Sequence, residues 1–492
     1  MRDGFVMTFR VLLISPASIV DNISGSRINT ESTSPPLGLL YIGAMMLSKG
    51  YSVKVLDMNC ESIRTTDQLI RRVRMSRPDL IGISTLTPTF RSVADVATTC
   101  KKEFPESSTI LGGYFATFNH DRILEKYDCI DFVARREGEE IAVELAAQLE
   151  KSKPNFSKIK GLSYRENGRV KVNEERPLIQ DLDKLPFPAY ELVSDLTYGY
   201  FGGIRTSSKS LGGLLTSRGC HFTCKFCSCA AFTNSTIRWR SPENVIEELQ
   251  YLKDKFGITE YMFVDDNFTF DKNRVMKICT AIKQNHLDLD WYCEGRINQA
   301  DEDMFREMRR AGCGVIYFGI ESCVEKVLKY YRKGINYEMT KVAVAKARKA
   351  GLDVVGSFIF GAPIETLADM RETVSKAAAL DLDFAQFNIL RLVRGMPLWE
   401  ELSQQGLIDD KNQWEGSVLG LQIHPQLTLK DSPLLLKEFH RTFYRRRKYI
   451  TRQVARTLLR RKKQVFLNLS HPRELWSELR DTLYFGNKVE AS

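Results

Sequence analysis

Short β-branched runs alternate with helix-length amphipathic stretches from the first dozen residues onward, and that regularity leaves few architectures open. The runs at 9–15, 52–57, 80–84, 108–111 and 131–134 read as strands with helices between them. Each intervening stretch is long enough for the crossover that parallel neighbours require. Residues 1–150 are therefore expected to form an α/β unit, a doubly wound parallel sheet. Ligands of such open sheets lie at the carboxyl ends of the strands, where Thr85, Thr87, Gly112, Gly113 and Gly138 fall. The glycines would serve tight turns equally well.

Residues 151–204 read as a connector, with a Lys/Ser/Pro-rich opening, a hairpin about Asn167-Gly168 and an extended strap at Leu185-Pro186-Phe187-Pro188. Between 205 and 400 the alternation resumes with a longer period, and strands are expected at 214–217, 261–264, 289–293, 315–319, 354–360 and 384–389. Six successive βα units fit a complete or partial (β/α) barrel, whose chemistry lies at the carboxyl ends of its strands. Residues 401–492 are expected to be a helical, basic C-terminal region, since the alternation stops after Trp414. Ser432-Pro433 opens a long helical stretch that runs to Pro472, and Phe443, Ile450, Val454, Leu458 and Val465 recur along it at helical spacing.

Of the 492 residues, 43% are apolar and 27% charged, which excludes wholesale disorder and collagen-like repeats. No apolar run has the length of a bilayer span, and the run at 10–14 closes at Pro16, too early for a signal-peptide core. Eleven cysteines without an export signal point to a reducing, cytoplasmic setting, where clustered thiols mean metal or redox chemistry. The net charge of +10 is local: residues 441–463 hold 11 Lys/Arg and no acid, against 60 basic and 61 acidic residues elsewhere. That segment is expected to pack an apolar face on the barrel. Weak, peripheral contact with the inner face of an anionic membrane is the second use of its charge. Nucleic acid is not expected as a partner, because no recognition module accompanies the basic segment.

Cys220, Cys224 and Cys227, in CHFTCKFC, follow the first barrel strand. Three thiolates within eight residues can hold three corners of a cubane cluster and leave the fourth iron open. A structural zinc or closed cluster completed by His221 or Cys229 is the alternative reading, although zinc favours two paired ligand sets at a distance. Asp265 and Asp266 leave the second barrel strand at its mouth, where a carboxylate can accept from an ammonium group. Arg296 lies beyond the third strand, Glu321 ends the fourth, and Gly361 and Pro363 shape the turn after the fifth. Singly, each suits a surface ion pair or a turn. Their common placement at strand ends favours one shared site.

With Phe226 just before the third cysteine, the CxxxCxxC spacing resembles the radical S-adenosylmethionine superfamily. RWRSPENVIEEL, FVDDNFTFD, FGIES and GAPIET follow in that family's order across roughly 180 residues. The resemblance implies a 4Fe-4S cluster on Cys220, Cys224 and Cys227. It also implies S-adenosylmethionine contacts from Phe226, Asp265 and Asp266, from Arg296 to the carboxylate, from Glu321 to the ribose, and from Gly361 and Pro363 to adenine. Asp-Asp stands where the family usually carries a GGE-like motif, the form of its cobalamin-associated branch.

Upstream, SPPLGLLYIGAMMLSKGYSVKVLD, GIS ending at Ser84, Gly112-Gly113 and REGEE with Gly138 and Glu139 resemble that branch's Rossmann-like cobalamin-binding domain. The loop SPASIVDNISG lacks the histidine of the DxHxxG motif, so cobalamin is expected base-off without a histidine ligand. His120 is read as a loop residue satisfied by protein contacts.

The resemblance implies a cobalamin-dependent methyltransferase acting on an unactivated carbon of a small-molecule or lipid-like substrate. A 5′-deoxyadenosyl radical abstracts the hydrogen, methylcobalamin supplies the methyl group, and flavodoxin or ferredoxin supplies electrons. No motif assigns a residue to the transfer itself. The alternative keeps the cofactors but carries out oxidative cyclisation or another carbon-skeleton change, as in anaerobic porphyrin-ring cyclases. A non-catalytic cobalamin sensor or iron–sulfur carrier fits less well, since neither needs an open iron.

Overall fold

The computed structural model describes residues 8–17, 34–63, 65–201, 204–205 and 211–452. Most of the SPASIVDNISG loop, and Val454, Leu458 and Val465 with the rest of the basic segment after 452, lie outside the described residues.

The expected alternation is realised as β1 (Arg10–Ser15), α1 (Leu37–Ser48), β2 (Ser52–Asp57), α2 (Thr66–Ser76), β3 (Leu80–Ser84), α3 (Phe90–Glu103), β4 (Ser108–Gly112), α4 (Tyr114–Lys126), β5 (Phe132–Ala134) and α5 (Glu139–Leu149). Strand order is β2-β1-β3-β4-β5, all parallel. The order reverses between β1 and β3, which opens a crevice at their carboxyl ends. Alternate residues of β1 serve opposite faces: Val11 and Leu13 pack with α1 and α5, Leu12 and Ile14 with α2, α3 and α4. The hairpin turn at Asn167-Gly168 has both residues at positive φ. Its strands, β6 (Leu162–Glu166) and β7 (Arg169–Val172), add antiparallel to β5. The hairpin of the connector thus extends the sheet past residue 150, pairing the backbone groups that β5 would otherwise leave at an edge.

The strap after the hairpin ties the two units together. Ile179 N donates to Glu137 Oε2 at 2.7 Å and Ala189 N to Leu40 O at 3.1 Å, while Tyr190, Val193 and Tyr198 enter the barrel core.

After the short hairpin β8 (Tyr200–Phe201) and β9 (Ile204–Arg205), the second unit begins with β10 (Leu211–Leu214) and β11 (Ser217–Arg218). It continues through α6 (Cys229–Phe232), β12 (Arg238–Trp239), α7 (Pro242–Phe256), β13 (Glu260–Phe263), α8 (Lys272–Gln284), β14 (Asp290–Gly295), α9 (Glu302–Arg310), β15 (Cys313–Glu321), α10 (Glu325–Tyr330), α11 (Tyr337–Lys349), β16 (Asp353–Phe360), α12 (Leu367–Ala379) and β17 (Phe384–Ile389). β10, β13, β14, β15, β16 and β17 pair in that order, all parallel, as a (β/α)6-type partial barrel. The expected strand at 214–217 is divided. The chain leaves the parallel sheet after Leu214, and β11 pairs antiparallel with β12.

Capping residues explain where the outer helices start. Ser241 accepts from Asn244 N with Pro242 in the first turn, Asp271 accepts from Arg274 N, and Thr366 forms a capping box with Asp369.

The C-terminal region is less helical than expected. β18 (Arg391–Leu392), α13 (Pro397–Gln404) and β19 (Val418–Leu419) precede α14 (Ser432–Tyr444). Between α13 and β19 the chain returns to the N-terminal unit. Trp414 is buried against Phe90 and Phe115, with ring centroids 5.9 and 6.2 Å away, and Tyr127 Oη donates to Glu415 at 2.7 Å. α14 seats Phe439 and Phe443 in the barrel core.

The expected continuous helix breaks at Arg445 and Arg446. The Arg446 guanidinium turns in over the Phe443 and Tyr449 rings at 4.5 and 5.6 Å. Arg452 also turns inward and donates to Leu382 O at 2.7 Å, whereas Ile450 is 46% exposed. Two arginines of the basic run thus face the barrel, and one residue of the expected apolar stripe faces out.

Candidate active site

Gly219 sets up the cysteine loop. Its φ is +97°, and a Cβ there would lie 2.1 Å from Thr236 O, so glycine alone lets the chain turn out of β11. Cys224 is buried; Cys220 and Cys227 are half-buried. Two contacts hold the loop from outside, Lys225 N donating to Tyr331 O and Leu398 N to Lys225 O, both at 2.9 Å, and within the loop Cys227 N donates to Cys224 O at 3.1 Å. Burial pushes the Cys227 thiol up to about 12. Among the described residues, no three Cys, His, Asp or Glu side chains converge on a single-ion position. A cubane cluster binds each thiolate to a different iron, so separated thiols on one loop suit it. Of the alternative ligands, His221 is exposed and lies against Phe270 at 4.6 Å, while Cys229 is buried at the start of α6, its N–H donating to Cys227 Sγ at 3.4 Å.

Around the loop, several expected contacts are already committed to protein. Arg296, expected to be free for a carboxylate, is buried. Its Nη1 donates to Cys224 Sγ at 3.3 Å, Nε to Asn298 Oδ1 at 3.1 Å and Nη2 to Lys333 O, and its guanidinium stacks 3.7 Å over Phe222. In this structure it braces the cysteine loop. The two acids part company as well. Asp265 is buried and accepts from Thr216 Oγ1 at 2.7 Å, Thr216 N at 3.3 Å and Ser217 Oγ, which corrects its placement at the open mouth. Burial raises its pKa, and Arg274 opposes that rise. Asp266 is the exposed acid, accepting from Gly219 N at 3.0 Å.

Glu321 holds a left-handed backbone, φ +67°, at an irregularity between β15 and β16, and accepts from the buried Lys333 Nζ at 2.7 Å. That pair lies across Gly319, where a Cβ would stand 2.4 Å from Glu321 Oε1. Such strain in a charged residue marks a position the surroundings over-determine. Phe226 meets Tyr331 edge-on at 5.0 Å, with Lys333 Nζ 5.5 Å from its ring. Gly361 (φ +94°) and Pro363 form the turn after β16, closed by Glu365, whose Oε2 accepts from Gly361 N at 2.8 Å. Burial pushes the Glu365 carboxyl up to about 8.

A cavity of about 400 Å³ separates the two units at the crevice of the N-terminal sheet. Ser84, Gly112, Gly113, Gly138 and Glu139 line it, as does Asp266 from the barrel mouth. Gly113 is required there: at φ +102° a Cβ would meet Thr85 O at 2.6 Å. Thr85 itself does not line the cavity. It is fully buried, its Oγ1 donating to Gly112 O at 2.8 Å and accepting from Ala116 N at 3.0 Å, so it pins the turn. Thr87 begins a short 3-10 turn outside the cavity. Glu139 is engaged by Arg218 Nη2 at 2.7 Å. His120 lies within α4, with Nδ1 3.2 Å from Ser163 Oγ, and does not line the cavity either; the expectation of a protein-satisfied residue holds, that of a loop does not.

Sequence reasoning missed the clamp at the cavity rim. Glu137 Oε1 accepts from Arg218 and Arg238 at 2.9 Å each and Glu137 Oε2 from Arg238 at 2.8 Å, joining the two units, while Tyr114 stacks on Phe232 at 4.1 Å. Its signal was present, since Glu137 stands in REGEE and Arg218 two residues before Cys220. Lys333 and Glu365 were missed too. Each lies beside a positive-φ glycine, Gly334 or the Gly361 turn, which is the one local sign of them.

Residues 24–146 match the B12 binding domain and residues 214–377 the radical SAM superfamily. An uncharacterized methyltransferase of Pyrococcus horikoshii is 34% identical over 90% of this chain and 94% of its own length. The anaerobic magnesium-protoporphyrin IX monomethyl ester cyclase of a Synechocystis species is 30% identical over 69% of this chain and 66% of its own. Among solved structures, the radical S-adenosylmethionine methyltransferase TsrM from Kitasatospora setae, at 19% identity, shares the fold with a TM-score of 0.67 over 81% of this chain and 78% of that one. Taken with the cysteine loop at the mouth of a six-stranded barrel and the crevice facing it, these likenesses show that the chain belongs to the cobalamin-dependent radical S-adenosylmethionine enzymes.

Proposed function

We propose that the chain is a methyltransferase that methylates an unactivated carbon of a small organic substrate. The observation that carries this reading is the cavity shared by the two units, which brings the glycine-lined crevice of the cobalamin-type sheet against Gly219 and Asp266 of the cysteine-loop mouth. The methyltransferase names of the Pyrococcus relative and of TsrM support it.

The residues present fit the three cofactors. Cys220, Cys224 and Cys227 would hold the 4Fe-4S cluster, with Arg296 bracing Cys224. Asp266, Glu321, Phe226 and the Gly361–Pro363 turn would face S-adenosylmethionine, and Ser84, Gly112, Gly113 and Gly138 would face cobalamin. When bound, the cluster and S-adenosylmethionine supply radical initiation and cobalamin supplies a transferable methyl group. The chain's own part is to bind and to exclude water. Glu137, Arg218 and Arg238 hold the units together around the cavity, and the Lys333–Glu321 pair fixes the mouth beside the loop.

Anaerobically reconstituted protein, given S-adenosylmethionine labelled in its methyl group, is expected to pass the label to a product heavier by one methylene. The variant with Cys220, Cys224 and Cys227 changed to Ala is expected to lose both the cluster spectrum and the transfer. The likeness to the cyclase motivates a second reading, oxidative cyclisation, in which the product changes mass without acquiring label. Contact of the basic segment with a membrane is a further proposal. Among the described residues no helix is long and apolar enough to cross one.

A further inference from the structure

An aromatic face adjoins the cysteine loop outside the cavity. His221 is exposed and packs on Phe222 at 4.1 Å and on Phe270 at 4.6 Å, and Trp239, 41% exposed, stacks on Phe270 at 6.1 Å. None of the four lines the cavity between the units. Clustered surface aromatics are characteristic of protein contact surfaces. This cluster also has a short inward path. Phe222 lies 3.7 Å from the Arg296 guanidinium, whose Nη1 donates to Cys224 Sγ at 3.3 Å, so one side chain separates it from a cluster ligand.

The end of α10 and the turn after it supply charge. They run along the cysteine loop: Lys225 Nζ lies 4.8 Å from the Tyr330 ring, Tyr331 O accepts from Lys225 N at 2.9 Å, and Lys333 O accepts from Arg296. Lys329 and Arg332 project from this stretch. The Lys329 side chain is 81% exposed, and its ion pair with the exposed Glu325, at 3.9 Å, is weak. Arg332 is exposed at φ +52° and makes no ion pair among the described residues. Beside the aromatic rings the acids are engaged: Asp271 caps α8, and Asp301 binds Lys272 Nζ at 2.8 Å. Free positive charge at such a face attracts an acidic partner and speeds its approach.

We propose that this face docks an acidic one-electron carrier protein, which reduces the cluster across Phe222 and Arg296. One electron leaves the carrier's reduced flavin or iron–sulfur centre and enters the cluster; no bond forms or breaks. The inference rests on the cluster and not on the choice between methyl transfer and cyclisation. Redox encounters of this kind are small and transient, so the binding is weak and salt-sensitive.

The probe is flavodoxin, titrated in its oxidised form into anaerobically reconstituted holoenzyme at low salt by calorimetry. Its reduced form is then mixed in a stopped-flow instrument to follow bleaching of the cluster. Lys329→Gln with Arg332→Asn, the second chosen because asparagine tolerates left-handed backbone, is expected to weaken binding and slow reduction about ten-fold. Trp239→Ala should do the same, and 0.5 M salt should abolish the difference between the charge variant and the wild type. Dithionite should reduce the cluster equally in all of them, which shows that each variant keeps its cluster intact. Affinity and reduction rate unchanged in both variants would overturn the proposal. So would a Trp239→Ala variant that instead loses concentration-dependent self-association, since the face would then belong to a second copy of the chain. A failure to transfer labelled methyl would count against the methyltransferase reading alone.

Discussion

Glu137 is one carboxylate holding two buried guanidiniums from the other unit, and replacing it tests whether that clamp makes the inter-domain cavity. In Glu137→Ala, Arg238 (side chain 4% exposed) and Arg218 (14%) lose their shared partner. Removing one member of a buried ion pair costs about 3–5 kcal/mol, because the remaining charge stays out of water. Arg218 keeps Glu139 at 2.7 Å and Arg238 keeps Ile179 O at 2.7 Å, so the lower end, about 3 kcal/mol, is expected. For a unit of 150–250 residues that loss is a fall of roughly 6–12 °C in Tm. Urea denaturation of the cofactor-free protein, followed by far-ultraviolet circular dichroism and tryptophan fluorescence, would measure it. Cobalamin absorbance titration should show weaker binding in the same variant, since the clamp forms the cavity rim. A change in stability below about 0.5 kcal/mol, the range of ordinary surface substitutions, would refute the claim that the clamp bears on the interface.

Glu365 gives a pH prediction. Burial holds its carboxyl at about 8 instead of 4.5, so the folded state keeps a proton that the unfolded chain releases. Stability should therefore fall as pH rises from about 4.5 towards 8, and Glu365→Gln should remove several kcal/mol of that slope. For the basic segment, sedimentation with anionic liposomes at low salt, reversed by added salt and by changing Arg445, Arg447 and Lys448 to Gln, is the expected result. Absence of binding at low salt would leave the segment only its packing on the barrel. Arg446 is excluded from that variant because its guanidinium lies over Phe443 and Tyr449.

The expected strands lie within a few residues of the observed ones, and 384–389 matches β17 at both ends. Periodicity is a local property: a buried parallel strand must be apolar and β-branched wherever it lies, and a crossover helix must be amphipathic. The cysteine spacing was legible for the same reason, since one loop carries all three thiols. What the sequence left open was the partner of each charge.

Asp265 and Asp266 are adjacent in the chain, yet one is buried under Thr216 and Ser217 and the other faces the cavity. Neighbouring residues leaving a strand point to opposite sides, and only the surrounding elements determine which side is solvent. Arg296 was expected to be free and is held by Cys224 and by Lys333 O, 72 and 37 residues away. Trp414, which marked the end of the repeat, returned to fill the core of the first unit instead. Contacts of this separation depend on the packed geometry of several elements at once, so spacing along the chain carries no trace of them. The sequence by itself determined the elements, their order and the donor set of the loop. The tertiary structure alone decided which charges are buried among protein partners, like Asp265, and which, like Asp266, face the cavity.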